Sequence, residues 1–69
     1  MADRYRAYTA TGEVANSGDV GSDGKVAFDA GPDTVVSTVV FYSGELDDEA
    51  VVGVVEVGSS GPIKVEAPE

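Results

Sequence analysis

Thr34-Val-Val-Ser-Thr-Val-Val-Phe-Tyr42 is a run of β-branched and aromatic residues interrupted only by one serine. Such side chains fit a pleated sheet and lose rotamer freedom in a helix, so the run predicts a strand. Alternate residues point to opposite faces of a strand, and both faces of this one are largely apolar. The sequence therefore predicts a central strand that is covered on both sides, within a sandwich or barrel or against a neighbouring subunit.

A second apolar run, Ala50 to Val57, is expected to pair with the first as an antiparallel hairpin. In the simplest register Phe41 lies near Val51, and Val39 lies opposite Gly53. A glycine lowers strand stability, so Gly53 indicates either a bulge or close approach of a large ring such as Phe41. A tolerated gap in the strand is the alternative interpretation.

Shorter strands are predicted on either side of this hairpin. The alternation of apolar and polar residues favours strands over 4–11, 25–29 and 63–67, with brief extended pieces at 13–15 and at Val20. Turns are predicted at Asn16-Ser17-Gly18, Asp23-Gly24, Ala30-Gly31-Pro32-Asp33 and Gly58-Ser59-Ser60-Gly61-Pro62. Asp-Gly favours a type I′ hairpin turn, so Asp23-Gly24 is expected to join two paired strands. The pattern predicts a single all-β domain over residues 1–69, a small β-sandwich or barrel of six to seven short antiparallel strands.

The charge of the chain is strongly unbalanced. The chain contains thirteen Asp and Glu residues but only four Lys and Arg residues, which gives a net charge of −9. Binding to nucleic acid or to an anionic membrane requires clustered positive charge, so neither is expected as a partner. Arg4 and Arg6 lie two residues apart on one predicted strand face. They would bind an acidic partner, pair with carboxylates of the same chain or keep a strand edge soluble.

The residue types argue against catalysis. The chain contains no Cys and no His, which excludes disulfides, thiolate chemistry and zinc or iron sites built on nitrogen or sulfur ligands. General acid–base or nucleophilic catalysis calls for such groups, for a lysine in a pocket or for paired carboxylates of separated pKa. We therefore predict a non-enzymatic protein with no cofactor and no small-molecule substrate. A domain of 69 residues has a thin stability margin, and a partner surface is the remaining means of reinforcing it.

The composition, rich in Asp, Glu, Val, Ala, Gly and Thr, resembles that of proteins from extremely halophilic archaea. In size and style the chain is similar to the decoration, turret and fibre components of tailed viruses. These resemblances imply an acidic surface adapted to salt and a place in a virion. The segment Met1 to Arg6 lacks the apolar stretch of a secretory signal, so cytoplasmic synthesis is expected, followed by retention or by export in a particle.

Two acidic regions are candidate cation sites. Asp19 and Asp23 occupy positions that partly resemble an EF-hand calcium loop, although Gly21 and Ala30 stand where that loop needs ligands. Between the two central strands, a second acidic group follows Leu46 and comprises Asp47, Asp48 and Glu49. A hairpin turn and a solvated loop explain the same residues without a cation.

Two classes of function remain open. The first is a structural or assembly protein, homo-oligomeric or docked on a larger particle such as a viral capsid. Its interface would use the apolar central hairpin, and the candidate interface residues are Val35, Val39, Phe41, Leu46, Val51 and Val55. The second is a monomeric binding module that presents acidic loops to a protein, a glycan or a cation.

Overall fold

The computed structural model describes residues 2–44 and 50–67, and in that part the chain forms six strands and no helix. The strands are β1 (Arg4–Thr9), β2 (Val14–Asp19), β3 (Lys25–Asp29), β4 (Val35–Ser43), β5 (Ala50–Ser60) and β6 (Pro62–Glu66). The prediction of an all-β fold with six to seven short strands is confirmed.

The strands form two antiparallel sheets. The large sheet has four strands in the order β2-β1-β4-β5, and the small sheet pairs β3 with β6. In the large sheet β1 and β4 therefore lie inside, and β2 and β5 form the two edges. Except for Thr34, the apolar run Thr34–Tyr42 lies in the internal strand β4, as its β-branched residues predict.

The core lies between the two sheets. The Tyr5 ring of the large sheet stacks on the Phe28 ring of the small sheet, with centroids 5.5 Å apart. Val26 and Phe28 point inward from β3, and Ile63 and Val65 do so from β6, as their alternation predicts. The buried residues are Ala2, Tyr5, Ala7, Val26, Val36, Val39, Phe41 and Ile63.

Strand β4 contains a bulge that alternation does not predict. Ser37 is skipped in the pairing of β4 with both β1 and β5, because the register shifts on either side of it. An inserted residue reverses the alternation beyond it. Val36 therefore enters the core together with Val39 and Phe41, whereas Val35 is exposed. The expectation that Val36 lies on the face opposite Val39 is wrong for this reason.

The hairpin of β4 and β5 is confirmed, but its register differs from the simplest one. Phe41 pairs with Gly53, and Val39 pairs with Val55. Gly53 thus lies directly opposite Phe41, as one interpretation of this glycine requires, and an irregularity lies next to it, as the bulge interpretation requires. A second register shift, between Phe41 and Tyr42, leaves Val52 without a partner on β4.

One predicted turn is wrong, and a second turn forms but does not join paired strands. Asn16, Ser17 and Gly18 lie within β2, opposite Ala7, Arg6 and Tyr5 of β1 respectively. The Tyr5 ring packs on Gly18, where an added Cβ would lie 3.3 Å from Tyr5 Cε1. Asp23-Gly24 does form a turn, with Gly24 at a φ of 77°. However, this turn leads from β2 in the large sheet to β3 in the small sheet, so it joins no paired strands.

Tyr5 makes one specific polar contact in this core, and its loss should be measurable. Its hydroxyl donates to Asn16 Oδ1 at 2.7 Å, and burial raises the pKa of the phenol. We expect Tyr5→Phe to lower the free energy of unfolding by about 1 kcal/mol at neutral pH.

The pH dependence of that loss follows from the direction of the shift. A raised pKa means that the folded state holds the phenol proton more tightly than the unfolded chain, for which the pKa is about 10. The stabilisation is complete below that pH and is lost as the pH rises above it. The difference in thermal stability between the parent and Tyr5→Phe should therefore narrow over the range above about pH 10. A constant difference over this range would contradict the assignment.

Candidate interaction surface

One face of the large sheet is turned away from the small sheet, and we call it the outer face. The strand registers place its side chains in three rows across β2, β1, β4 and β5. The rows are Asp19-Arg4-Tyr42-Val51, Ser17-Arg6-Val40-Val54 and Val14-Tyr8-Thr38-Glu56. Two arginines and two carboxylates make the charge of these rows balanced, although the whole chain carries −9.

The middle of the outer face is ordered by contacts among aromatic and cationic side chains. The guanidinium carbon of Arg6 lies 4.5 Å from the centroid of the Tyr42 ring, a cation–π contact. The hydroxyls of Tyr8 and Tyr42 are 3.2 Å apart and share a hydrogen bond. This bond raises the pKa of Tyr42, partial burial raises it further, and Arg6 acts in the opposite direction. The pair of tyrosines thus forms a preorganised platform over the inner strands.

The two arginines lie on β1, which is an internal strand, so the interpretation that they protect a sheet edge is wrong. Arg4 lies beside Asp19 in the register and donates from a guanidinium nitrogen to the carbonyl oxygen of Gly44 at 3.4 Å. Arg6 is held on Tyr42. Their side chains therefore help to organise the outer face itself.

Exposed valines surround this platform. Val14 on β2 is 53% exposed, Val35 on β4 is 55% exposed, and Val51 and Val54 on β5 are 59% and 55% exposed. Val52, at the β5 register shift, is 39% exposed. Three of these five residues belong to β5. Exposed single valines are ordinary, but a group along one edge strand marks a surface that a partner can cover.

The candidate interface residues separate into four groups. Val35 and Val51 are exposed, as an interface requires. Val39 and Phe41 are fully buried in the core, so their assignment to an interface does not fit the structure. They pack in one cluster with Val26 and Ile63 of the small sheet, which explains their burial. Val55 is partly buried against the core. Leu46 lies outside the described residues.

Val14, Val54 and the platform of Tyr8 and Tyr42 are not among the interface residues predicted from the sequence. Alternation along β4 and β5 contains part of the signal, because Val40, Tyr42 and Val54 follow once Phe41 is set opposite Gly53. Val14 requires the position of β2, which local sequence does not provide.

The candidate cation ligands are not brought together in the described part of the chain. Asp19 ends β2 beside Arg4, whereas Asp23 Oδ1 accepts a hydrogen bond from the Lys25 backbone nitrogen at 3.0 Å within its turn. Over residues 2–44 and 50–67, no group of three acidic side chains is positioned to hold a metal ion. The other candidates, Asp47, Asp48 and Glu49, lie outside these residues.

An open groove of about 480 Å³ crosses the small sheet. Lys25 and Lys64 line it together with Asp23 and Glu66. Both lysines are exposed to solvent, whereas a nucleophilic lysine needs a desolvated pocket. The groove therefore supplies no activated group.

The chain matches no protein-family model, no curated protein and no solved structure. In the described segments, no helix is long and apolar enough to pass through a membrane.

Proposed function

We propose that this protein is a non-enzymatic structural component that acts in an assembly, as a homo-oligomer or docked on a larger particle such as a viral capsid. The observation that carries this proposal is the outer face, where exposed valines surround an ordered platform of Tyr8, Tyr42 and Arg6. This face takes up one side of a molecule only 16 Å thick across its Cα atoms.

The charge distribution supports docking through this face. Most of the carboxylates lie outside the three outer-face rows, which carry as many positive as negative groups. Two such surfaces approach each other with less repulsion than other parts of an acidic molecule would meet. Tyrosine, arginine and valine side chains also give a partner both apolar area and hydrogen-bonding groups.

The acidic composition, which resembles that of salt-adapted proteins, supports an assembly that forms in concentrated salt. At molar ionic strength the Debye length falls to about 3 Å, which screens the repulsion between copies of charge −9. Salt also strengthens the burial of apolar side chains when its ions are excluded from the surface. Both effects favour the associated state.

Light scattering coupled to size exclusion tests the proposal. In molar salt we expect a mass above the 7.0 kDa of one chain, and in dilute buffer we expect dissociation or unfolding. Circular dichroism at the same salt concentrations separates dissociation from loss of the sheet. A folded monomer at all protein concentrations in both buffers would contradict self-assembly and would favour a monomeric binding module.

A further inference from the structure

We propose that two copies of the chain pair through their β5 edges, antiparallel and about a two-fold axis, so that two large sheets join into one sheet of eight strands. This inference rests on the proposed assembly function and names its contact. The partner is a second copy of the chain, and the contact is made by backbone hydrogen bonds along Ala50–Val57.

Strand β5 presents an open edge. It pairs with β4 on one side, and the next strand of the chain, β6, pairs with β3 in the small sheet instead. Within the described residues, alternate N–H and C=O groups of β5 thus point away from its only partner strand. The regular part ends at Gly58, which has a φ of 67°. From Ala50 to Val57 the edge is eight residues, about 26 Å, long, and its regular part is Gly53–Val57, beyond the register shift at Val52.

The two edges of the large sheet differ in how they resist pairing. Strand β2, Val-Ala-Asn-Ser-Gly-Asp, is short and mainly polar. Strand β5 contains no Lys and no Pro, and Glu56 is its only charge. Natural proteins protect edge strands with charge, proline, bulges or short length. In β5 the unpaired Val52 and the register shift beside Gly58 interrupt the edge, but from Gly53 to Val57 the strand is regular and Glu56 is its only protection. The β5 edge is therefore the one built to accept another strand.

Side-chain exposure shows what an added strand would change. Val40 and Val54 are neighbours in one row of the outer face. Val40, with strands on both sides, is only partly exposed, whereas Val54, with a strand on one side, is 55% exposed. A further strand beside β5 would give Val54 and Val51 the same lateral cover that β1 and β5 give Val40.

Charge favours a second copy in antiparallel orientation. Four of the five residues in 45–49 are acidic, and they directly precede β5. Parallel pairing would place the Ala50 ends of two β5 strands side by side, whereas antiparallel pairing separates these ends by the length of the strand, about 26 Å, or roughly three Debye lengths at physiological salt. When the pairing is centred on Val54, Glu56 lies opposite Val52 of the other copy and away from its own counterpart. Two copies of β5 can therefore pair in this register without placing their Glu56 carboxylates opposite each other.

The size of the contact predicts its strength. A strip about 26 Å long and about 10 Å deep offers roughly 260 Å² of edge per copy, well below the ~800 Å² of a standard interface. The isolated dimer should therefore be weak and dependent on concentration. Inside an assembly several such contacts act together, and their combined affinity rises accordingly.

Two matched lysine variants test the assignment. Val54→Lys and Val14→Lys change outer-face valines of nearly equal exposure on opposite edges of one sheet, and each adds one positive charge. In a concentration series followed by light scattering in molar salt, we expect Val54→Lys to raise the dimer midpoint at least about tenfold. Val14→Lys should change it less than about twofold, in line with an exposed site away from the contact. Circular dichroism verifies that both variants are folded.

Amide hydrogen exchange distinguishes edge pairing from face-to-face stacking. Edge pairing should slow exchange at alternate residues of Ala50–Val57 only at concentrations where the dimer forms, whereas stacking of outer faces leaves these amides unchanged. If the parent chain assembles but Val54→Lys and the β5 amides show no effect, the edge contact is overturned and the assembly function stands. Equal dissociation by Val14→Lys would likewise replace the edge contact with outer-face stacking. If the parent never assembles, both proposals fail.

Discussion

Replacing Phe41 with alanine should unfold most of the protein at 25 °C. Phe41 is fully buried and is the largest side chain without exposed surface. Truncating a buried phenylalanine to alanine costs about 3–5 kcal/mol, because the apolar contacts are lost and a cavity remains. A domain of this size has a total stability of roughly 3–10 kcal/mol, so the loss removes much or all of it.

Urea unfolding followed by circular dichroism measures this loss, and Val40→Ala is its control. Val40 is the preceding residue on the same strand but points to the outer face, where it is only partly buried. Its truncation should cost about 1 kcal/mol or less. Equal losses for the two variants would contradict the orientation of β4. If the Phe41→Ala chain is as stable as the parent monomer and only fails to assemble, Phe41 belongs to an interface and not to the core.

Aspartate at Val36 should unfold the protein, whereas aspartate at Val35 should be tolerated. Val36 is fully buried, and a carboxylate there would lose its hydration without a partner, at a cost of several kcal/mol. Val35 is 55% exposed, so its substitution should change the free energy of unfolding by about 1 kcal/mol or less. Thermal unfolding of the two variants in molar salt gives the comparison.

Comparing Val35→Asp with Val36→Asp tests the bulge at Ser37, because the two variants add the same charge at adjacent positions. Uninterrupted alternation from Val39 and Phe41 would bury Val35 and expose Val36. The register shift reverses that order. A folded Val36→Asp chain with an unfolded Val35→Asp chain would show that the strand runs without a bulge.

Much of this fold is predictable from local sequence. Strands β3, β4, β5 and β6 follow from β-branched residues and regular alternation, because each has one face on the core. The hairpin of β4 and β5 follows from two adjacent apolar runs. Even the closeness of Phe41 and Gly53 is indicated by a glycine inside an otherwise apolar strand.

The errors come from contacts distant in sequence. Asn16-Ser17-Gly18 has turn propensity, but the Tyr5 side chain bonds to Asn16 and covers Gly18, and these contacts hold the segment in β2. Asp23-Gly24 forms the turn that its residues favour, yet pairing of β3 with β6 decides where the chain goes next. A bulge such as that at Ser37 depends on both neighbouring strands, so alternation within β4 does not reveal it.

The sequence predicts that an apolar surface exists outside the core, but it identifies only some of the residues that form the outer face. Two apolar faces on the central hairpin indicate a surface beyond the core, and this pattern predicts the exposed interface residues Val35 and Val51. Choosing between the inner and outer faces required the small sheet, because β3 and β6 cover Val39 and Phe41. Val14 and Val54 became visible only when the sheet order placed their strands at opposite edges.

The pairing of β3 with β6 has a consequence for protein synthesis. Of the six strands, β6 is translated last, so β3 leaves the ribosome long before its only partner strand within the described chain. Until Ile63 has emerged, the inner face of the large sheet lacks half of its cover. Nascent chains from which β6 has not yet emerged should therefore be bound by chaperones that recognise exposed apolar strands, and release from these chaperones should follow the emergence of β6 from the ribosome.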